Sequence, residues 1–150
     1  MWVEIQVELS DFKMTQPDGN SYSNNKPVLI VEDNPVNRDL FSFQLRHYGV
    51  ATRFATNGQE AVELMETEPD SFSMILMDLQ MPVMDGITAT QLIRQKEAAT
   101  NRRIVIIALT ANESSGIQNQ CIEAGMDDFV NKPSTLEKIG SILSKWIKEA

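Results

Sequence analysis

A doubly wound α/β fold, a parallel sheet of five strands with five helices, is predicted by three observations. Apolar runs of four or five residues alternate along the chain with stretches of helical periodicity. These runs lack the in–out alternation of a half-buried strand and read as strands covered on both faces. Several of them end in polar residues of related chemistry. Val28-Leu29-Ile30-Val31 leads into Glu32-Asp33-Asn34, Met74-Ile75-Leu76-Met77 into Asp78, and Phe129-Val130 into Asn131-Lys132-Pro133. In open α/β sheets ligands bind outside the carboxyl ends of the strands. Three acids and one lysine, distant in sequence, are therefore expected to meet at one edge of one sheet.

The elements follow in order. Met1 to Ser10 sets apolar Val3, Ile5, Val7 and Leu9 between polar Glu4, Gln6 and Glu8, the pattern of a half-buried strand. Asp11 to Lys26 is rich in Asn, Ser, Asp, Gly and Pro and is expected to be a linker. The chain thus divides into an N-terminal segment, 1–26, and a compact domain, 27–150. Pro27–Val31 is the first strand. Asn34 and Pro35 open a helix as N-cap and first helical residue, and Gly49 ends it after Tyr48. Ala51–Ala55 is a short strand. Asn57 opens a second helix with Ala61, Leu64 and Met65 on one face, stopping before Pro69. Ser73–Asp78 is the third strand, Leu79–Asp85 a loop, and Gly86–Glu97 a helix. Arg103–Leu109 is the most β-branched strand. Asn112–Ala124 is a helix of lower propensity, since it carries Ser114, Ser115 and Gly116. Asp127–Val130 is the last strand. Ser134-Thr135-Leu136-Glu137 reads as a capping box opening a helix with Leu136, Ile139, Ile142, Leu143, Trp146 and Ile147 at helical spacing. No output domain is expected after it.

The bulk numbers narrow the function. A net charge of −8 and the lack of a basic run argue against nucleic acid or an anionic membrane as a direct partner. The single cysteine, Cys121, excludes an internal disulfide framework and fits a reducing compartment. No apolar stretch approaches the ~20 residues of a membrane span, and no secretory signal is visible. A cytoplasmic location is expected.

In a flavodoxin-like strand order, 2-1-3-4-5, Asp33 and Asp78 end the two strands that flank the switch point. Thr110 lies just past the fourth strand and Lys132 just past the fifth. Clustered carboxylates repel one another unless a cation sits between them. Magnesium takes few protein carboxylates and keeps several waters. A lysine supplies a point charge to a phosphoryl oxygen, a threonine hydroxyl can donate to another, and an aspartate can accept the phosphoryl group covalently. Such chemistry needs in-line positioning and charge neutralisation rather than a protein base.

With these residues in place, the chain from Pro27 onward resembles a response-regulator receiver domain, of the kind attached to hybrid histidine kinases. The resemblance is carried by Val31-Glu32-Asp33-Asn34, by Met77-Asp78-Leu79-Gln80-Met81-Pro82-Val83-Met84-Asp85-Gly86, by Ala108-Leu109-Thr110-Ala111 and by Asn131-Lys132-Pro133. It implies that Asp78 accepts a phosphoryl group from the phosphohistidine of a histidine kinase or a histidine phosphotransfer domain. It implies that Asp33, Asp78 and the backbone carbonyl of Gln80 hold Mg2+, with Mn2+ an acceptable substitute, and that Glu32 acts mainly through a water on the cation. Lys132 then binds the phosphoryl group. Thr110 turns toward it after transfer and Phe129 turns inward to follow, a two-state element biased by one new charge. Gln80 and Asn112 flank the acyl phosphate and tune its hydrolysis. The family's peptide between Lys132 and Pro133 is cis. Phe129 lacks the hydroxyl of the tyrosine that also occurs there, so no output can rest on that hydroxyl. The signalling surface is expected on the fourth helix, fifth strand and fifth helix, and dimerisation on phosphorylation is common in the family. The domain is expected to catalyse its own phosphorylation and dephosphorylation without being a turnover enzyme on an outside substrate, and tethering to a membrane-bound sensor kinase is compatible with it.

Three other classes fit less well. A phosphatase with an aspartyl nucleophile, in the haloacid-dehalogenase style, usually carries a second Asp two residues on, where this chain has Gln80, and a cap segment, which it lacks. A flavodoxin-like cofactor binder wants a Ser/Thr/Gly-rich loop after the first strand rather than Glu32-Asp33-Asn34-Pro35. A partner-binding pseudo-receiver requires a broken site, and this one is complete. Pro82 and Gly86 are expected to shape the loop beside Asp78. His47, near the end of the first helix, fits a favourable charge at a helix C-terminus, and Cys121 an inert helical position. The first helix carries Val36, Leu40, Phe41, Phe43, Leu45 and Tyr48, more apolar residues than one buried stripe needs. Some are expected to be exposed near the site and to dock the histidine donor. Met1 to Ser10 fits the last strand of a preceding domain, such as the ATP-binding domain of a hybrid kinase.

Overall fold

The apolar runs form the centre of a three-layer sandwich in a computed structural model that describes residues 26–111 and 114–147. Five strands, β1 (Val28–Val31), β2 (Thr52–Ala55), β3 (Met74–Asp78), β4 (Val105–Thr110) and β5 (Asp128–Asn131), alternate with five helices. The helices are α1 (Pro35–His47), α2 (Gly58–Thr67), α3 (Gly86–Glu97), α4 (Ser115–Ala124) and α5 (Leu136–Trp146). The sheet order is β2-β1-β3-β4-β5 with every neighbouring pair parallel, as expected. The strand-like segment Met1–Ser10 and nearly all of the linker lie outside the described residues, as does Asn112.

Alternate residues of each strand feed two separate cores. Val28, Ile30, Met74, Leu76, Ile107, Leu109 and Val130 pack against Phe41 and Leu45 of α1 and Ile139, Ile142 and Leu143 of α5. Leu29, Val31, Ile75, Met77, Ile106 and Ala108 pack against Ala61 and Val62 of α2, Ala89 and Ile93 of α3 and Cys121 of α4. Burial on both faces explains why these strands read as continuous apolar runs. Each fully buried Leu or Ile contributes about 1.5–3 kcal/mol. Because both layers grip the sheet, the carboxyl ends of β1, β3, β4 and β5 are fixed relative to one another.

Helix starts follow local capping chemistry. The Asn34 side chain accepts from the Val36 amide at 2.8 Å, and Pro35 takes the first helical position. The Asn57 side chain accepts from Glu60 N–H at 2.9 Å, and Asp85 accepts from Thr88 N–H at 2.8 Å. Gly49 (φ 81°) follows α1, and Gly125 (φ 108°) ends α4 in the left-handed conformation.

Three expectations need correction. Helix α4 begins at Ser115, not Asn112, because the Ser114 hydroxyl caps it by accepting from Ile117 N–H at 3.3 Å. Strand β4 runs Val105–Thr110, so Thr110 is its last residue rather than the residue after it. Thr110 pairs with Asn131 across the ladder, whereas Ile104 N–H is taken by the Glu97 carboxylate before the ladder begins. The Ser134–Glu137 capping box is not formed. Thr135 caps α5, accepting from Lys138 N–H at 3.1 Å, while the Ser134 hydroxyl bonds to Gln44 of α1.

Candidate functional site

The carboxyl ends of four strands open into a cleft of about 530 Å³, lined by Glu32, Asp33, Asp78, Gln80, Thr110 and Lys132 among others. Glu32, Asp33 and Asp78 each offer a carboxylate oxygen within 4.8 Å of the others. Glu32 is 1% exposed and Asp78 3%, whereas Asp33 faces solvent. Lys132 reaches in from the residue after β5. Its Nζ lies 3.1 Å from Glu32 Oε1 and 3.2 Å from Asp78 Oδ1. Burial pulls the lysine toward its neutral form, but the Asp78 and Glu32 carboxylates outweigh that pull. Its pKa therefore lies above the ordinary lysine value, and the ammonium stays charged at neutral pH.

The surrounding backbone holds these groups in place. Glu32 Oε2 accepts from Asn34 N–H at 3.2 Å, and Asp78 Oδ1 accepts from Gln80 N–H at 3.2 Å. Among the described residues Asp78 Oδ2 accepts no hydrogen bond. Lys132 N–H donates to the Thr110 carbonyl at 2.8 Å, tying the lysine to β4. Three carboxylates and one ammonium leave the cluster with an excess of negative charge. Hard oxygen donors at this spacing fit a small divalent cation such as Mg2+.

The loop after Asp78 carries two tight constraints. Val83 has φ 69°, and Met84 N–H donates back to the Pro82 carbonyl at 2.7 Å. This is a γ-turn around a β-branched residue, a strained conformation. Gly86 packs against the end of β3: a Cβ there would lie 2.2 Å from the Asp78 carbonyl oxygen and 2.9 Å from Met77 Cγ. The first neighbour is backbone and cannot swing away. Gly86→Ala is therefore expected to cost about 1–3 kcal/mol of stability and to slow chemistry at Asp78 by displacing the end of β3. A denaturant titration paired with a phosphorylation time course measures both. An unchanged midpoint and rate would show that the loop absorbs the methyl group.

The sequence-predicted residues assemble as follows. Asp33, Glu32, Asp78, Thr110 and Lys132 all line the cleft, and Thr110 is 4% exposed. Gln80 is exposed at the rim. Phe129 is half-buried in β5 and packs on the α2–α4 face, and Lys138 Nζ of α5 lies 6.0 Å from its ring centroid. The Lys132–Pro133 peptide is cis. Val36 is 73% exposed and Phe43 59%, so α1 does present apolar side chains to solvent. One contributor is invisible in the motifs. Arg38 Nη1 donates to the carbonyls of Glu32 at 3.0 Å and Asp33 at 3.2 Å, bracing the acidic turn. Its place four residues after the N-cap Asn34, one turn into α1, was the available signal. A depression of about 540 Å³ opens at the opposite, amino ends of the strands. Within it Lys96 pairs with Glu66 and Arg102 with Asp70, while Glu97 and Arg103 pair with Arg94 and Asp127 beside it, and it lies at the other end of the sheet from the acids.

Known proteins share this sequence pattern and fold. A family model described as response regulator receiver domain matches residues 28–144. The hybrid signal transduction protein dokA of Dictyostelium discoideum is 41% identical over 144 residues, 96% of this chain; the chain spans only 8% of that protein. The receiver domain of the sensor histidine kinase PA1611 from Pseudomonas aeruginosa PAO1, solved with a magnesium ion in its active-site cleft, is 40% identical. It superposes with a TM-score of 0.72 over 81% of this chain and 97% of its own. A chain of the Saccharomyces cerevisiae co-crystal of the histidine phosphotransfer protein Ypd1 with the Ssk1 receiver domain matches at 33% identity and TM-score 0.72, covering 81% of this chain and 88% of that one. The family match runs from the first residue of β1 to within the last turn of α5, and the chain belongs to the response regulator receiver domain family.

Proposed function

We propose that this receiver domain takes a phosphoryl group from a phosphohistidine onto Asp78, as one step of a two-component phosphorelay. The observation that carries this reading is the Lys132 ammonium set between the buried Asp78 and Glu32 carboxylates at the strand ends, 3.2 and 3.1 Å away. The Asp78 carboxylate attacks phosphorus. The P–N bond of the phosphohistidine breaks, its electron pair returns to the imidazole nitrogen, which takes up a proton, and an acyl phosphate forms on Asp78. Lys132 neutralises charge on a phosphoryl oxygen, and the Thr110 hydroxyl donates to another. Thr110 ends β4 and pairs across the ladder with Asn131, two residues past Phe129, so a shift of Thr110 reaches Phe129 through the β4–β5 ladder.

The acids fit Mg2+, with Mn2+ a substitute. Asp33, Asp78 and the backbone carbonyl of Gln80 would hold it, and Glu32 would support it. The cation supplies charge neutralisation to the carboxylates and to the incoming phosphoryl oxygens. Gln80, at the rim of the cleft, would tune the lifetime of the acyl phosphate, a role the family resemblance extends to Asn112, which lies outside the described residues. The same site carries out its own dephosphorylation by water. We place the domain in a hybrid histidine kinase on the cytoplasmic side, with phosphorylation-dependent self-association as one output of the α4–β5–α5 face.

The donor is a histidine kinase or a histidine phosphotransfer domain, docked on α1. Val36 and Phe43 supply an exposed apolar strip on the helix that starts at the acidic turn. The test is transfer from a phosphorylated histidine phosphotransfer protein, compared with transfer from acetyl phosphate. The double variant Val36→Asp, Phe43→Asp is expected to slow the protein donor about tenfold or more, since a charge in an apolar contact costs several kcal/mol. The small donor should be unaffected. Equal rates from the protein donor would place docking elsewhere, and no transfer from either donor to the wild type would defeat the reading itself.

A further inference from the structure

We propose that Gln44, buried in the C-terminal half of α1 and outside the cleft, is a positioning residue for Lys132 that acts through Ser134. This rests on the reading of Lys132 as the cation that binds the phosphoryl group. Gln44 is 4% exposed. A buried amide is costly unless both its ends are paired, and here both go to one residue. Gln44 Nε2 donates to the Ser134 carbonyl at 2.8 Å, and Gln44 Oε1 accepts from the Ser134 hydroxyl at 2.5 Å. One turn further on, the hydroxyl of Tyr48, the C-cap of α1, donates to the Leu136 carbonyl at 2.7 Å. Three bonds thus fasten α1 to residues 134–136, directly after Lys132 and Pro133.

The lysine is held from the other side as well, because its own N–H donates to the Thr110 carbonyl at 2.8 Å. Between the two fastenings lies only Pro133, whose ring fixes φ. The Lys132 backbone is therefore clamped, and its flexible side chain starts from a set position. Rate in a charge-stabilised transfer depends steeply on such placement: an error near 1 Å can cost about a hundredfold. The Ser134 hydroxyl points to the same role. It stands where a capping box for α5 would use it, yet it bonds to Gln44 and leaves the cap to Thr135. An apolar side chain at position 44 would serve the α1–α5 core without this bond, so packing alone does not call for the amide.

Ser42 provides a matched control. It is also a buried polar residue of α1, 8% exposed, but its hydroxyl pairs with Thr52 of β2 at 3.2 Å, away from the lysine loop. The experiment measures the saturating rate of phosphorylation by acetyl phosphate, and Mg2+ affinity by fluorescence titration. It compares wild type, Gln44→Leu, Ser134→Ala, the double variant and Ser42→Ala. The expected result is a fall of about tenfold for Gln44→Leu and a smaller fall for Ser134→Ala. The double variant should be no slower than Gln44→Leu, because both remove one shared interaction. Mg2+ affinity should stay within about twofold in every variant, since the carboxylates come from β1 and β3. Ser42→Ala should lose stability but keep its rate. The proposal is overturned if Gln44→Leu phosphorylates at the wild-type rate, or if Ser42→Ala slows it equally. Slowing beyond Gln44→Leu in the double variant would also overturn it, and should Gln44→Leu not fold, a wild-type rate for Ser134→Ala would overturn it in its place. A wild type that takes up no phosphoryl group would instead reject the reading of the cleft.

Discussion

Asp78→Asn is expected to yield a folded protein that gains no phosphoryl group at position 78. The amide keeps the side-chain shape, and its oxygen can still accept from Gln80 N–H, the bond that Asp78 Oδ1 accepts at 3.2 Å. What it loses is the anionic nucleophile. The electrostatic consequences run in opposite directions. In the absence of metal, two acids 4.8 Å apart or less repel by about 3.5 kcal/mol or more at an effective dielectric of about 20. Removing Asp78 relieves its repulsion with Glu32 and Asp33 while ending its contact with Lys132. Those terms nearly offset, so stability without metal should change little. With metal they do not offset. The variant should lose at least the roughly tenfold in Mg2+ affinity that loss of even an outer-sphere partner costs. Thermal melts with and without Mg2+ check this: the wild type should gain stability on adding the cation and Asp78→Asn much less. An equal gain in both would remove Asp78 from the metal site.

Lys132→Met is expected to be the second severe change. Methionine keeps an unbranched stem but removes the only ammonium that contacts Glu32 and Asp78 among the described residues. Those two carboxylates are 1% and 3% exposed, so each becomes a buried charge without its partner. Breaking a buried pair in this way costs about 3–5 kcal/mol. Part of that cost should return on adding Mg2+, so the variant should gain more stability from the cation than the wild type does. Chemistry should not return with it. Loss of one aimed donor to a charged transition state lowers rates about 10²–10³-fold, and phosphorylation by acetyl phosphate should fall by that order. A stable Lys132→Met protein with a near-normal rate would show that the lysine is a structural counter-ion rather than a phosphoryl-binding group.

The strands, their order and the acids at their ends were legible in the sequence for one physical reason. A sheet buried on both faces writes itself as apolar runs, and the site of such a fold sits where those runs stop. Asp33, Asp78 and Lys132 each stand within a residue or two of such a stop. Thr110 was placed one residue too far out because strand ends depend on ladder pairing, here with Asn131, which local composition does not reveal. Ser134 was misread as a helix cap for a similar reason: its partner, Gln44, is distant in the chain, and a hydroxyl next to a helix start gives no sign that something else has claimed it. Arg38 was overlooked because it bonds to backbone carbonyls rather than to the acids themselves. Arg94 was invisible for a third reason. Its guanidinium gathers the Gly125 and Ile104 carbonyls and the Glu97 and Asp127 carboxylates at the amino end of the sheet, contacts that only the folded chain brings together. The apolar excess of α1 was legible, because one buried stripe has a fixed width and Val36 and Phe43 fall outside it.

Phosphorylation of Asp78 in this cleft is proposed to need a divalent cation. Its most direct test is intact-mass measurement of the wild-type protein after incubation with acetyl phosphate, with Mg2+ or with chelator, followed by mapping of the modified peptide. The expected result is one added phosphoryl group, dependent on Mg2+ and located at Asp78. A folded, magnesium-binding protein that gains no mass, or a phosphoryl group found on another residue, would contradict it.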